Sequence, residues 1–206
     1  ASWKRGANVN FSGEWPSHAS LVYDQDDVTV IIREFYPRPP LWIFGAIDIS
    51  QSLALLAKYL GFRVTVCDAR AIFVTKARFP MADHLVCEWP HRWLEQQSIT
   101  PQTVICVLTH DNKFDLPILQ IALRSDAQYV GAMGSRKTHA DRLMRLLDAG
   151  LTQDEVLRLR SPIGLDLGGR SPQETALSIL AEVVMLRESR SGRPLLETQG
   201  TIHSSM

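Results

Sequence analysis

The sequence has no excess of either charge, no long apolar run and few cysteines. Its 206 residues contain 22 Lys and Arg against 22 Asp and Glu, so neither nucleic acid nor an anionic membrane is indicated as a partner. No apolar segment approaches the length of a transmembrane helix, and no apolar stretch of a signal peptide follows the first residues. These absences predict a cytoplasmic protein.

Only three cysteines are present, at positions 67, 87 and 106, and no two of them form a C-x-x-C pair. An odd count without such a pair argues against a disulfide framework and against a zinc ribbon. Each cysteine lies in or beside an apolar, strand-like run, which predicts buried free thiols in a reducing compartment. No metal site made of protein ligands alone is predicted.

A complete glycine fingerprint for dinucleotide binding, G-x-G-x-x-G, is also missing. In the first strand–helix turn Gly45 is present, but Ile47 and Ser50 occupy the positions of the second and third glycines. Asp48 adds negative charge to a helix start that would otherwise attract phosphate. The turn therefore favours a purely structural role over intact dinucleotide binding.

The composition, 45% hydrophobic and 21% charged, is that of a globular protein. Two β-rich runs at 19–23 and 28–35 flank an acidic turn and predict a hairpin. From Leu41 onward, short apolar strands alternate with helices, which predicts a Rossmann-like α/β fold: a mostly parallel sheet with helices on both faces. We expect a hairpin and linker over 1–40, the Rossmann-like domain over 41–188 and a mobile tail over 189–206.

The strands and helices of this domain are predicted from runs of apolar residues and from helix caps. In parallel sheets of this type, ligands bind beyond the carboxyl ends of the strands, so the segments that follow the strands are candidate binding segments. The predicted strands are 41–44, 63–67, 85–87, 103–109 and 127–131, and the predicted helices are 49–60, 114–124, 136–148, 152–159 and 172–187.

Four polar residues follow the second and fourth of these strands. Asp68 lies 23 residues after Gly45, where a Rossmann fold carries its ribose-binding carboxylate. An ion pair between Asp68 and Arg70 that only anchors the loop is an equal alternative. His110 and Asp111 follow the strongest strand, where a histidine beside carboxylates suits proton transfer or ligand orientation.

A second glycine-bearing turn, from Gly131 through Gly134 to Ser135, Arg136 and Lys137, opens the helix at 136. Exposed amides at a helix start, together with a hydroxyl and two cations, favour anion binding. The alternative is a helix cap with solvated cations. For the Gly- and Pro-rich segment 161–172, both a structural loop that docks the last helix and a wall over the ligand site stay open.

Several of these segments match the motifs of a known family, and the chain resembles the XdhC/CoxF accessory proteins of molybdenum hydroxylases over about 41–187. The resemblance implies a protein that binds the molybdenum cofactor, as molybdopterin or in a dinucleotide form. The motifs that carry the resemblance are Ile43-Phe44-Gly45-Ala46, Val66-Cys67-Asp68-Ala69-Arg70, Arg78-Phe79-Pro80, Leu108-Thr109-His110-Asp111 with Asp115, Tyr129 to Lys137, Pro162 to Gly168, and Ser171 to Ala176.

The same resemblance implies an accessory factor rather than an enzyme. Such a factor works with a cysteine desulfurase, delivers the cofactor to a client such as xanthine or carbon monoxide dehydrogenase, and forms homo-oligomers. On this basis we expect Ser135, Arg136 and Lys137 to hold the phosphate end of the cofactor, with Gly131 and Gly134 allowing its close approach. Gly45 of the first turn is also expected to contact the cofactor, with Asp68 and Arg70 at the pterin or nucleotide edge and His110 and Asp111 at the deep end of the pocket.

The chain departs from the family in two places. The first turn reads Gly45-Ala46-Ile47-Asp48 where the family usually has Gly-Ala-Gly-His, and only about 40 residues without a cysteine precede the Rossmann part, where the family usually has a further domain. A fragment and a divergent member both explain the second departure. Two other functions therefore stay open beside the chaperone: an NAD(P)-dependent oxidoreductase, and a degenerate assembly module that binds no ligand.

Overall fold

The computed structural model describes residues 21–25, 28–32, 37–109 and 111–202. Strands β1 (Leu21–Gln25) and β2 (Val28–Ile32) pair antiparallel in a two-stranded sheet. The predicted hairpin is therefore confirmed, with a first strand that extends to Gln25; residues 19, 20 and 33–35 of the predicted strands lie outside the described residues. Residues 38–193 form a compact unit, which contains the remaining strands and the α-helices.

This unit alternates strands and helices along the chain, as the sequence pattern predicted. Helix starts follow ordinary capping chemistry: the Ser171 hydroxyl accepts from the Glu174 amide, and Pro172 occupies the first helical position. The elements are β3 (Pro40–Phe44), α1 (Asp48–Tyr59), β4 (Arg63–Cys67), β5 (His84–Val86), α2 (Pro90–Glu95), β6 (Val104–Val107), α3 (Asn112–Arg124), β7 (Tyr129–Ala132), α4 (Arg136–Asp148), α5 (Gln153–Leu157), β8 (Leu159–Arg160) and α6 (Pro172–Arg187).

The six strands of the unit form one parallel sheet in the order β5-β4-β3-β6-β7-β8. The chain runs from β3 outward through β4 to β5, then returns across the sheet to β6 on the other side of β3. This is the strand order of the Rossmann fold, and the reversal leaves a crevice beyond the carboxyl ends of β3 and β6. The predicted Rossmann-like fold class is confirmed.

Side chains alternate along the central strands and supply a separate core on each face of the sheet. Leu41 and Ile43 of β3 point into the core formed with α1 and α6. Trp42 and Phe44 point into the other core, which α2, α3, α4 and α5 cover. Helices on both faces explain why these strands are apolar at every position rather than at every second one.

Three sequence predictions need correction. Helix α2 was not predicted, because six residues are too few to show a helical period, and the two-residue strand β8 was not predicted either. Cys87 is exposed, whereas Cys67 and Cys106 are buried as expected; Cys87 lies just beyond the end of β5, the strand at one edge of the six-stranded sheet. Within the described part of the chain, no helix has the length and apolar character to cross a membrane.

Candidate functional site

A cleft of about 280 Å³ lies beyond the carboxyl ends of β3, β4 and β6, at the crevice that the strand order creates. Its lining combines apolar, cationic and carboxylate side chains. Three of the residues expected in the site, Asp68, Arg70 and Asp111, therefore meet at one place. The lining residues are Ile47, Asp68, Ala69, Arg70, Pro90, Thr109, Asp111 and Phe114.

Gly45 begins the turn from β3 into α1, and its φ of +105° is a conformation that favours glycine. A Cβ at this position would lie 2.9 Å from Cγ2 of Thr109 and 3.0 Å from its backbone nitrogen. Glycine is therefore needed here because the turn packs tightly against the end of β6. Ser50 closes the turn from the helix side by donating its hydroxyl hydrogen to the Gly45 carbonyl, at 2.5 Å.

Asp68 holds the same turn from the end of β4. Its Oδ2 accepts the Ala46 amide at 2.8 Å, and its carboxylate receives a two-pronged contact from Arg70, Nε to Oδ1 at 2.9 Å and Nη2 to Oδ2 at 2.8 Å. The Arg70 amide adds a fourth hydrogen bond. Burial raises the pKa of the Asp68 carboxyl, but these bonds lower it more, so its pKa lies below the ordinary value.

The ion pair that was one of two alternatives for Asp68 is thus present, and it reduces the capacity of Asp68 to bind a ligand. Both carboxylate oxygens already accept two hydrogen bonds each, and an amide of the first turn is directed at Asp68. In an intact dinucleotide site this turn would approach the pyrophosphate instead. Hydrogen bonds within the protein therefore occupy the part of the turn that would otherwise contact a pyrophosphate.

Arg78 completes this closure from the loop between β4 and β5. Its Nη1 donates to the Ala46 carbonyl at 2.9 Å, and its Nη2 contacts Asp48 at 3.2 Å. The guanidinium groups of Arg70 and Arg78 lie 4.4 and 5.4 Å from the ring centre of Phe73. The sequence pattern gave Arg78 no role, because its partner is a backbone carbonyl 32 positions away.

An aromatic pair lies beside the cleft and was missed by the sequence analysis. The ring of Phe114, which lines the cleft, stacks on Trp89 with a centroid distance of 5.2 Å and an interplanar angle of 23°. Trp89 is 41% exposed, and Lys113 places its ammonium 5.7 Å from the indole centre. The pair gives the cleft a flat apolar wall next to α3.

A buried polar network lies beneath the ends of β6 and β7. Arg142 of α4 and Asp115 of α3 pair at 2.9 Å, with side chains that are 2% and 1% exposed. Arg142 also donates to the Met133 carbonyl at 2.9 Å and to the Ser161 hydroxyl at 3.0 Å, and Thr109 donates its hydroxyl hydrogen to Asp115. This network joins α3, α4 and the segments that follow β6, β7 and β8.

Comparisons with known proteins agree with this geometry. The family described as "XdhC Rossmann domain" matches residues 41–183, which is more than half of the chain. The chain belongs to the XdhC family. The family and the Rossmann-like fold that the motifs predicted are confirmed.

Two similar proteins and one similar solved structure are as follows. A Bacillus subtilis protein that is named as a probable xanthine dehydrogenase subunit is 30% identical over 85% of this chain and 54% of its own. The "Molybdenum cofactor insertion chaperone PaoD" of Escherichia coli is 38% identical over 74% of this chain and 42% of its own. A crystal structure described as a xanthine dehydrogenase from Bacillus halodurans superposes with a TM-score of 0.66 at 32% identity, covering 79% of this chain and 46% of that one. This chain therefore spans about half the length of these relatives.

The second glycine turn of this XdhC domain does not line the cleft, although it follows the strand next to β6. Ser135 caps α4 by accepting the Thr138 amide at 3.1 Å, and Arg136 and Lys137 are exposed. At Gly131 a Cβ would come within 2.6 Å of the Ile163 side chain. Gly131 is therefore small because Ile163 packs on it, and not only to admit a ligand.

The remaining expected site residues are placed as follows. Gly134 has a φ of +153° and packs near Thr138. Asp111 caps α3 by accepting the Lys113 amide, and because it is exposed it lies at the rim of the cleft rather than at its deep end. His110 lies outside the described residues.

The segment 161–172 docks the last helix of the domain. Glu182 of α6, which is buried, accepts the Gly164 amide at 2.9 Å and the Tyr129 hydroxyl at 2.6 Å. Burial above all raises the pKa of Tyr129, so Tyr129 is the hydrogen-bond donor. These contacts agree with the structural-loop alternative, and no residue of 161–172 is among those that line the cleft.

Proposed function

We propose that this chain is the cofactor-binding part of a molybdenum cofactor chaperone that serves a molybdenum hydroxylase such as xanthine or carbon monoxide dehydrogenase. The observation that carries the proposal is a ligand cleft at the Rossmann switch point whose first turn is closed by Asp68 and Arg78. Such a cleft suits a ligand other than a dinucleotide held by that turn. The relative named as a molybdenum cofactor insertion chaperone supports the choice of ligand.

The residues of the cleft fit one end of a pterin-based cofactor. A flat heterocycle requires an apolar wall, which Phe114 and Pro90 offer, and polar groups at the rim, which Arg70 and Asp111 offer. The cofactor would bring its own metal. Among the described residues, no cluster of three or more His, Cys, Asp or Glu side chains is arranged to hold one.

The phosphate end of the cofactor would lie against the loop that opens α4. Parallel neighbours in a sheet are about 4.8 Å apart, and β7 pairs directly with β6, so this loop begins one strand away from the cleft. Arg136 and Lys137 are exposed at the first turn of a 13-residue helix, where helix start and cations both favour an anion.

The rest of the chaperone cycle is part of the same proposal. A cysteine desulfurase would supply sulfur to the bound cofactor, and the client hydroxylase would receive it, with the chaperone acting as a homo-oligomer. A pull-down with a purified desulfurase and sedimentation of the free protein test the two associations separately.

The ligand itself is tested by anaerobic equilibrium binding of purified protein to released molybdenum cofactor, with NADH as competitor. We expect cofactor binding that NADH does not displace. Arg136→Ala should weaken it about 10- to 100-fold, the effect of losing a hydrogen bond to a charged group. Arg145→Ala, an exposed arginine in the last turn of the same helix, is the matched control and should bind normally. Binding of NADH alone would favour an oxidoreductase, and binding of neither ligand would favour an assembly module.

A further inference from the structure

Two planar groups line the cleft, and each is restrained by a neighbouring aromatic ring. Phe114 is held by its stacking on Trp89. The guanidinium of Arg70 is held by two bonds to Asp68 and by the Phe73 ring, yet its side chain is 54% exposed. Aromatic rings and restrained guanidinium planes are the surfaces on which fused heterocycles stack in proteins.

The cleft also contains one carboxylate that can still accept hydrogen bonds from a ligand. The oxygens of Asp68 are fully used by Ala46 and Arg70. Asp111 uses Oδ1 as the helix cap, and in the described part of the chain its Oδ2 has no hydrogen-bond donor. An ionised carboxylate only accepts hydrogen bonds, so the ligand edge that meets Asp111 must carry N–H or O–H donors.

The carboxylate and the ring line the cleft from the same end of one helix. Asp111 is the N-cap residue of α3, with extended backbone, and Phe114 is the third residue of the helix. A ring stacked near Phe114 would therefore direct its edge toward Asp111. The edge that best satisfies a carboxylate offers two adjacent N–H donors, as the 2-amino-4-oxopyrimidine ring does.

We propose that the cleft selects a fused heterocycle with a 2-amino-4-oxopyrimidine edge, with the ring against Phe114 and the two N–H groups on Asp111. Pterin and guanine share this edge. Adenine does not, because an unprotonated ring nitrogen lies beside its amino group and would face the carboxylate. A site that hydrogen-bonds a specific N–H group rejects analogues without it more strongly than an apolar pocket does. The assignment rests on the proposed function for its ligand class, and it names the residues that choose within that class.

The test is calorimetric titration of the full chain with pterin, GMP and AMP as separate probes. We expect pterin or GMP to bind at least about tenfold more tightly than AMP. Pterin without GMP would identify the cofactor ring as the ligand, and GMP without pterin a guanine nucleotide. AMP binding as tightly as both, or no binding of either pterin or GMP, would overturn the assignment.

Two conservative variants test the residues. Asp111→Asn keeps the cap of α3, because asparagine caps helices as well as aspartate does, but it places an N–H donor at the ligand edge. It should lose about tenfold or more in affinity for pterin or GMP and none for AMP. Phe114→Leu should weaken all three probes, and Asp126→Asn, an exposed carboxylate in the loop before β7, should change nothing.

These variants also separate this inference from the proposed function. If wild type and Asp111→Asn bind released molybdenum cofactor equally, the role of Asp111 is wrong while the chaperone function stands. If the wild type binds neither the cofactor nor pterin nor GMP, both are wrong.

Discussion

Replacement of Arg142 by methionine should cost a large part of the stability of the domain. Methionine keeps most of the length and removes the charge, leaving Asp115 buried without its 2.9 Å partner. Breaking one side of a buried ion pair costs about 3–5 kcal/mol, against a total stability of about 5–15 kcal/mol for a domain. The bonds from Arg142 to the Met133 carbonyl and the Ser161 hydroxyl are lost as well.

Urea unfolding followed by far-ultraviolet circular dichroism measures this loss as a fall in midpoint at constant slope. Arg145→Met, an exposed position on the same helix, should change the free energy of unfolding by less than about 0.5 kcal/mol. The double variant Asp115→Leu/Arg142→Met should regain at least half of the loss, because it also removes the buried carboxylate that Arg142 neutralises. A cost below about 1 kcal/mol for Arg142→Met would refute the view that this pair holds α3 and α4 together.

Three further predictions follow from single contacts. Gly131→Ala should destabilise the domain by about 1–3 kcal/mol through overpacking, because the added Cβ would lie 2.6 Å from the Ile163 side chain. The second substitution Ile163→Val should recover part of this loss, as measured by urea unfolding. An unchanged unfolding midpoint for Gly131→Ala would contradict the packing role. At pH 8, Cys87 should react rapidly with a thiol reagent, whereas the other two thiols should react only after unfolding, because burial raises the pKa of Cys67 to about 12. The lowered pKa of Asp68 contributes stability that is fully present above about pH 4 and is lost as the pH falls through the folded-state pKa. Asp68→Asn should therefore be less stable than the wild type at pH 6, and the difference in unfolding free energy should shrink toward pH 2. A difference that does not depend on pH would count against this contribution.

Much of the fold could be predicted because most of its elements carry their own local signals. The bounds of β4, α4 and α6 agree with the structure to the residue, since a cap, a glycine or a proline marks their ends. The capping box of Thr152 and Glu155 is also present as predicted. Helix α2 was not predicted because its position depends on packing against α3, where Leu94 is buried, and not on a local sequence pattern.

The site was harder to predict, because its side chains contact residues that are distant in the sequence. Asp68 was expected at the end of β4 and lies there, but its saturation by Ala46 and Arg70 follows from the close approach of two strand ends. Arg142 stands in a polar helix where nothing marks it as buried. The one available signal was its partner: Asp115 lies among apolar residues early in α3, and a carboxylate in such a position requires a cation.

The stacked pair of Trp89 and Phe114 could not be predicted for the same reason. Trp89 and Phe114 come from segments that follow different strands, and their 5.2 Å stacking exists only because α2 and α3 cover the same face of the sheet. No spacing rule joins two single aromatic residues 25 positions apart.

Whether the chain is a cofactor chaperone is tested by equilibrium binding of released molybdenum cofactor to the purified chain under anaerobic conditions, in the presence of increasing NADH. We expect cofactor binding that excess NADH leaves unchanged and that Arg136→Ala weakens while Arg145→Ala does not. Displacement of the cofactor by NADH, or NADH binding without any cofactor binding, would contradict it.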